Sequence, residues 1–106
     1  MPPNPKYRIA FVFHQSADVN LSSLSEVLIG MGQRTFRVVD EERWFHKRYG
    51  SEINWRQDLD NNIVTASVEG GEAVRACGSL VEWMLRNAAA YLDDADRDLK
   101  GISVFR

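Results

Sequence analysis

Bulky apolar residues occupy every second position of KYRIAFVFH, at Tyr7, Ile9, Phe11 and Phe13, with Arg8, Ala10, Val12 and His14 between them. A period of two built from aromatic and β-branched residues predicts a strand covered on at least one face. After QSADVN the spacing changes. Leu21, Leu24, Val27, Leu28 and Met31 of LSSLSEVLIGMG fall on one side of a helix. Asn20 is the expected N-cap, Ser23 with Glu26 offers a capping box slightly later, and Gly30 or Gly32 is expected to supply the left-handed exit. RTFRVVD and NNIVTASV read as two more strands. Beyond Gly70 and Gly71 runs a long helical pattern, GEAVRACGSLVEWMLRNAAAYLDDA, whose stripe is expected at Val74, Cys77, Val81, Met84, Ala88 and Tyr91. GISVFR is β-prone and predicts a final strand.

The order strand, helix, strand, strand, helix, strand predicts one α+β domain over residues 1–106. The expected fold is a ferredoxin-like βαββαβ sandwich, a four-stranded antiparallel sheet with both helices on one face, because each strand-helix-strand half must cross over in the right-handed sense. MPPNP, residues 1–5, is a loose lead-in, since its prolines cannot open a regular element. The connection between the second and third strands, DEERWFHKRYGSEINWRQ, is far longer than a hairpin needs. With Gly50 and Ser51 as a two-residue turn, Phe45 would face Arg56; Trp44, His46, Ile53 and Trp55 would share one face, and Phe45, Lys47, Tyr49 and Arg56 the other. Extended into the sheet, that register puts Phe36 and Val38 with Ile63 and Thr65, although Val64, Ala66 and Val68 make the better core set. The conflict predicts a bulge or break near Asp58 to Asn62, so that residues 40–62 project as a long hairpin arm or flap.

Aromatic rings among charges on such an arm point to a recognition surface, because Trp, Tyr and Arg carry most binding energy at interfaces. The partner-binding residues expected on this basis are Trp44, Phe45, Arg48, Tyr49, Trp55 and Arg56. Residues 43–56 hold Arg43, Lys47, Arg48 and Arg56 against Glu52 alone, so the arm is locally basic. The competing view is that the tryptophans fold back over the sheet as a small core and the charges are merely solvated. Pairing of the arm with a second copy would give a homodimer. Single-stranded nucleic acid is a further candidate partner, since stacking rings interleaved with Arg and Lys suit it. The flanking Asp40, Glu41 and Glu42 and the lack of an RNP-like or KH-like glycine motif weigh against it.

The formal charge of −2 gives no overall attraction for nucleic acid or anionic membrane. One cysteine allows no intramolecular disulfide, and no run resembles a signal peptide or a spanning helix, so a cytoplasmic location without membrane contact is expected. His14 and His46 lie in no metal-ligand spacing with each other or with Cys77. His14 is the one candidate general base, for a small enzyme or ligand-binding domain built around it. The serines of LSSLS read as caps, and Cys77 beside Gly78 as a packing residue. Asp58, Asp60, Asn62 and Glu69 match part of a calcium loop, but Ile63 stands where the sharp turn needs glycine. Asp93, Asp94, Asp96 and Asp98 read as the solvated end of the long helix, and two glycines at 70 and 71 do not make a phosphate motif. The expectation is a non-enzymatic binding or regulatory protein of the inhibitor, adaptor or immunity type, with no catalytic residue, metal or cofactor.

Overall fold

The computed structural model describes residues 6–14, 21–91 and 99–106, the side chains of 88–91 excepted. Among the described residues, β1 (Lys6–Phe13), β2 (Phe36–Asp40), β3 (Arg43–His46), β4 (Glu52–Asp58), β5 (Ile63–Glu69) and β6 (Leu99–Phe105) form one antiparallel sheet in the order β2-β3-β4-β5-β1-β6. In the chain, α1 (Leu21–Gly30) lies between β1 and β2, and α2 (Ala73–Tyr91) between β5 and β6.

The expected four-stranded, ferredoxin-like sheet is therefore corrected to six strands, and the two extra strands come from the segment expected to project. The register conflict disappears because β2 never meets β5. Phe36 pairs with His46 and Val38 with Trp44, whereas Ile53 pairs with Val68, Trp55 with Ala66 and Gln57 with Val64. No break is needed, and residues 40–62 form no free arm. The β3–β4 connection is also wider than a two-residue turn: Trp44 lies opposite Ile53 and Phe45 opposite Glu52, with the His46 N–H donating to the Ser51 carbonyl at 2.9 Å. This register differs from the expected one by an even number of residues, so every side chain keeps its face.

Short polar residues make the other two turns. Asp40 accepts the Glu42 N–H at 3.0 Å and the Arg43 Nε–H at 2.8 Å, and Asp58 accepts the Asn61 N–H and side-chain amide ahead of Asn62, whose φ is +52°. The DEER and DLDNN stretches are thus tight corners of a meander. Asp58 and Asn62 are occupied in one of them and not in a calcium loop.

One sheet face carries Ile9, Phe11, Phe36, Trp44, Ile53, Trp55, Val64, Ala66 and Val68, and both helices pack on it in a single core. From α1 come Leu21, Leu24 and Leu28, with Ser25 also buried. The stripe of α2 is rotated from the expected one: Ala73, Ala76, Cys77, Leu80, Trp83 and Met84 are buried, while Val74 is 66% exposed. The expected contributions of Ala88 and Tyr91, and the acidic Asp93, Asp94, Asp96 and Asp98, fall outside the described side chains. At the start of α1 the Leu21 N–H donates to Gln57 Oε1 of β4 at 3.0 Å. At its end the Gln33 N–H reaches the Leu28 carbonyl and the Gly32 N–H the Ile29 carbonyl, with Gly32 at φ +90°. Of the two glycines expected to supply the left-handed exit, Gly30 and Gly32, it is Gly32 that does so.

Candidate functional site

The two tryptophans expected as contact anchors are the centre of the core. Trp44 is 1% exposed and Trp55 2%, with ring centroids 5.0 Å apart. Trp44 also meets Trp83 at 5.4 Å and Phe36 at 5.8 Å, and Trp55 meets Phe11 at 5.9 Å. Burying an indole of roughly 150–250 Å² at about 25 cal/mol/Å² favours the interior by about 4–6 kcal/mol. In a sheet with one covered face, alternation carries Trp44, His46, Ile53 and Trp55 inward together and leaves the charges between them in water.

The other four expected residues separate into two places. Phe45 and Arg56 lie on the uncovered sheet face, opposite the tryptophans. Arg48 and Tyr49 lie in the β3–β4 turn, where the Tyr49 ring stacks on His46 at 4.7 Å and its carbonyl accepts the Glu72 N–H at 2.8 Å. That contact pins the turn to the start of α2. It also requires glycine at 71, because at φ +55° a Cβ there would collide with the Tyr49 carbonyl oxygen and the Gly50 peptide.

The uncovered face has a defined pattern. Cross-strand pairing sets Phe105, Arg8, Ser67, Asn54 and Arg43 in one row, and Ser103, Ala10, Thr65 and Arg56 in the next. A third row runs Lys6, Glu69, Glu52, Phe45 and Arg37. Over β1, β4 and β5 the surface dips, and the cations Lys6, Arg8, Arg56 and Arg106 line this hollow with Asn54, Thr65, Ser67 and Phe105. Its carboxylate, Glu69, stands directly opposite Lys6. Arg43 is bound to Asp40 at 2.8 Å, and this hydrogen bond holds the Asp40 carboxyl below the usual carboxylate range. Arg8 and Arg56 make no ion pair among the described residues. The Arg8 guanidinium rests 5.0 Å from the Phe105 ring centre, and Arg37 rests 5.4 Å from Phe45. Sequence reasoning passed over Arg8, Asn54, Thr65 and Ser67. The signal was there, since each alternates with a core residue of its strand.

His46 is buried and has two partners. Its Nδ1 accepts the Tyr49 N–H at 3.2 Å, and its Nε2 lies 2.8 Å from Ser79 Oγ on α2. A neutral ring that accepts at Nδ1 carries its proton on Nε2 and donates to the serine. It cannot then take the serine's proton, so the pair is not a nucleophile and its base. Burial, with the nearby charge of Arg48, pushes the His46 pKa below its ordinary value of 6.5. His14 is exposed; its carbonyl accepts the Asn62 side-chain amide at 3.0 Å, and its ring has no hydrogen-bond partner among the described residues. Cys77 is buried on α2, which pushes its thiol pKa up and away from thiolate chemistry. Among the described residues no three His, Cys, Asp or Glu side chains gather to hold a metal, and no helix is long and apolar enough to cross a membrane. No protein-family model, no curated protein and no solved structure matches the chain.

Proposed function

We propose that this chain is a binding protein of the inhibitor, adaptor or regulatory kind, and that its uncovered sheet face seats an acidic surface of a protein partner. The observation that supports this is the pair of unpaired guanidinium groups, Arg8 and Arg56, on a helix-free face with Asn54, Thr65 and Ser67 between them. They stand on β1 and β4, two strand spacings and one row apart, or about 12 Å. Planar guanidinium groups take carboxylates in bidentate fashion, and the intervening hydroxyl and amide groups can donate or accept as required. Phe45 and Phe105 sit at opposite margins, on β3 and β6, and supply apolar contact at the rim.

A protein partner fits better than single-stranded nucleic acid because the middle of the face offers no ring for stacking. Phe45 and Phe105 are four strand spacings or about 19 Å apart, too far to hold successive bases. Calorimetric titration at low salt with polyglutamate tests the proposal. Saturable binding should weaken at least tenfold in the Arg8→Glu, Arg56→Glu double variant and should decline as salt is added. Equal affinity of the folded variant, or a clear preference of the native chain for an unstructured oligonucleotide, would remove the proposal.

A further inference from the structure

A second polar feature lies on the helix side of the sheet, where the start of β2, the β3–β4 turn and α2 meet. The Tyr49 N–H donates to His46 Nδ1, and His46 Nε2–H donates to Ser79 Oγ, so a directional hydrogen-bond chain ends on the serine. Since Ser79 Oγ already accepts, its own O–H is left to donate, and no acceptor among the described residues takes it. Hydrogen bonds aligned in one sense polarise one another, which makes the terminal O–H a better donor than an isolated serine.

Ser79 lines a hollow together with Arg34, Thr35, His46, Lys47, Arg48 and Tyr49. Three of these side chains are cationic and none is a carboxylate. Arg34 and Lys47 make no ion pair among the described residues, and Arg48 rests 5.5 Å from the Tyr49 ring centre. Three like charges line one hollow with this hydroxyl, and an anion among them would relieve their mutual repulsion. We propose that this hollow binds a phosphoryl group, free or as a small monoester, with Ser79 O–H as the fixed donor and Arg34, Lys47 and Arg48 as the neutralising cations. A tetrahedral dianion has the acceptor oxygens to use all four at once. His46, which also lines the hollow, is a positioning residue here, because its Nε2–H is already given to Ser79 Oγ.

The test is a titration with inorganic phosphate, and separately with phosphoserine, against sodium chloride of matched ionic strength, followed by backbone amide shifts. Saturable shifts should centre on residues 34–35, 46–49 and 79. Ser79→Ala, at a partly exposed position, should weaken binding about tenfold, the worth of one hydrogen bond to a charged group. Arg34→Glu with Lys47→Glu should abolish it, and both positions are exposed, so the fold is expected to persist and circular dichroism checks that. Tighter binding of phosphoserine would assign the site to an esterified phosphate, and equal binding to the free ion. Shifts no larger than those with chloride, or binding that both variants retain, would overturn the proposal.

Discussion

Trp44 and Trp55 differ in one atom's surroundings. The Trp44 indole N–H donates to Ser25 Oγ at 3.3 Å, whereas the Trp55 N–H is buried with no acceptor among the described residues. An unpartnered buried donor costs about 1–3 kcal/mol, which offsets part of what the ring's burial contributes. Trp55→Phe is therefore expected to cost about 1 kcal/mol less than Trp44→Phe in urea denaturation, and equal losses would show that Trp55 has found a partner. Gly71→Ala should cost about 2 kcal/mol or more, since it adds left-handed strain to a collision with the turn. His46 gives a pH signature. Its folded pKa is lowered, so the folded state binds fewer protons than the unfolded chain. Its contribution to stability is complete above the ordinary value of 6.5 and declines as pH falls from there towards the folded pKa. Denaturation midpoints measured between about pH 5 and 7 should fall with acid in the native chain and less steeply in His46→Gln.

Gln57 ties two elements together, because its side chain caps the first backbone N–H of α1 from strand β4. Gln57→Ala should cost about 1 kcal/mol and raise amide exchange in the first turn of α1 more than elsewhere. Strands β1, β2, β5 and β6 and both helices are legible in the sequence as runs of apolar residues at periods of two or near 3.6. The core set of Val64, Ala66 and Val68 and the common face of Trp44, His46, Ile53 and Trp55 are legible too. Strands β3 and β4 are legible as a two-stranded hairpin, but their charges hide that the pair belongs to the sheet. Glu52, Asn54 and Arg56 alternate with Ile53 and Trp55 as a half-covered strand should, but the number of charged neighbours suggested exposed rings instead. Pairing order was not legible either, because nothing in β2 or β5 marks which of two intervening strands it meets. The rotated stripe of α2 has a similar cause: Ala73 and Ala76 are small and give a weak apolar signal, while Val74 gives a strong one that faces water.

Across the whole molecule, the formal charge of −2 conceals an uneven distribution. The hollow of the uncovered sheet face is cationic, and so is the smaller one beside Ser79, while Glu26, Glu41 and Glu72 lie exposed elsewhere and Glu82, beyond Ser79 on α2, is paired with Arg86. A field of this kind speeds encounter with an acidic partner and fades once the Debye length falls to about 10 Å near 0.1 M salt. With the indoles sealed inside, the contact surface proposed above is the polar face that alternation exposes behind them. Backbone amide shift mapping of the native chain during a polyglutamate titration locates that contact most directly. The largest shifts are expected on β1, β4 and β5 at Arg8, Asn54, Arg56, Thr65 and Ser67, with the Trp44 and Trp55 indole signals unmoved. Shifts confined to the helices, or indole signals that move first and furthest, would contradict it.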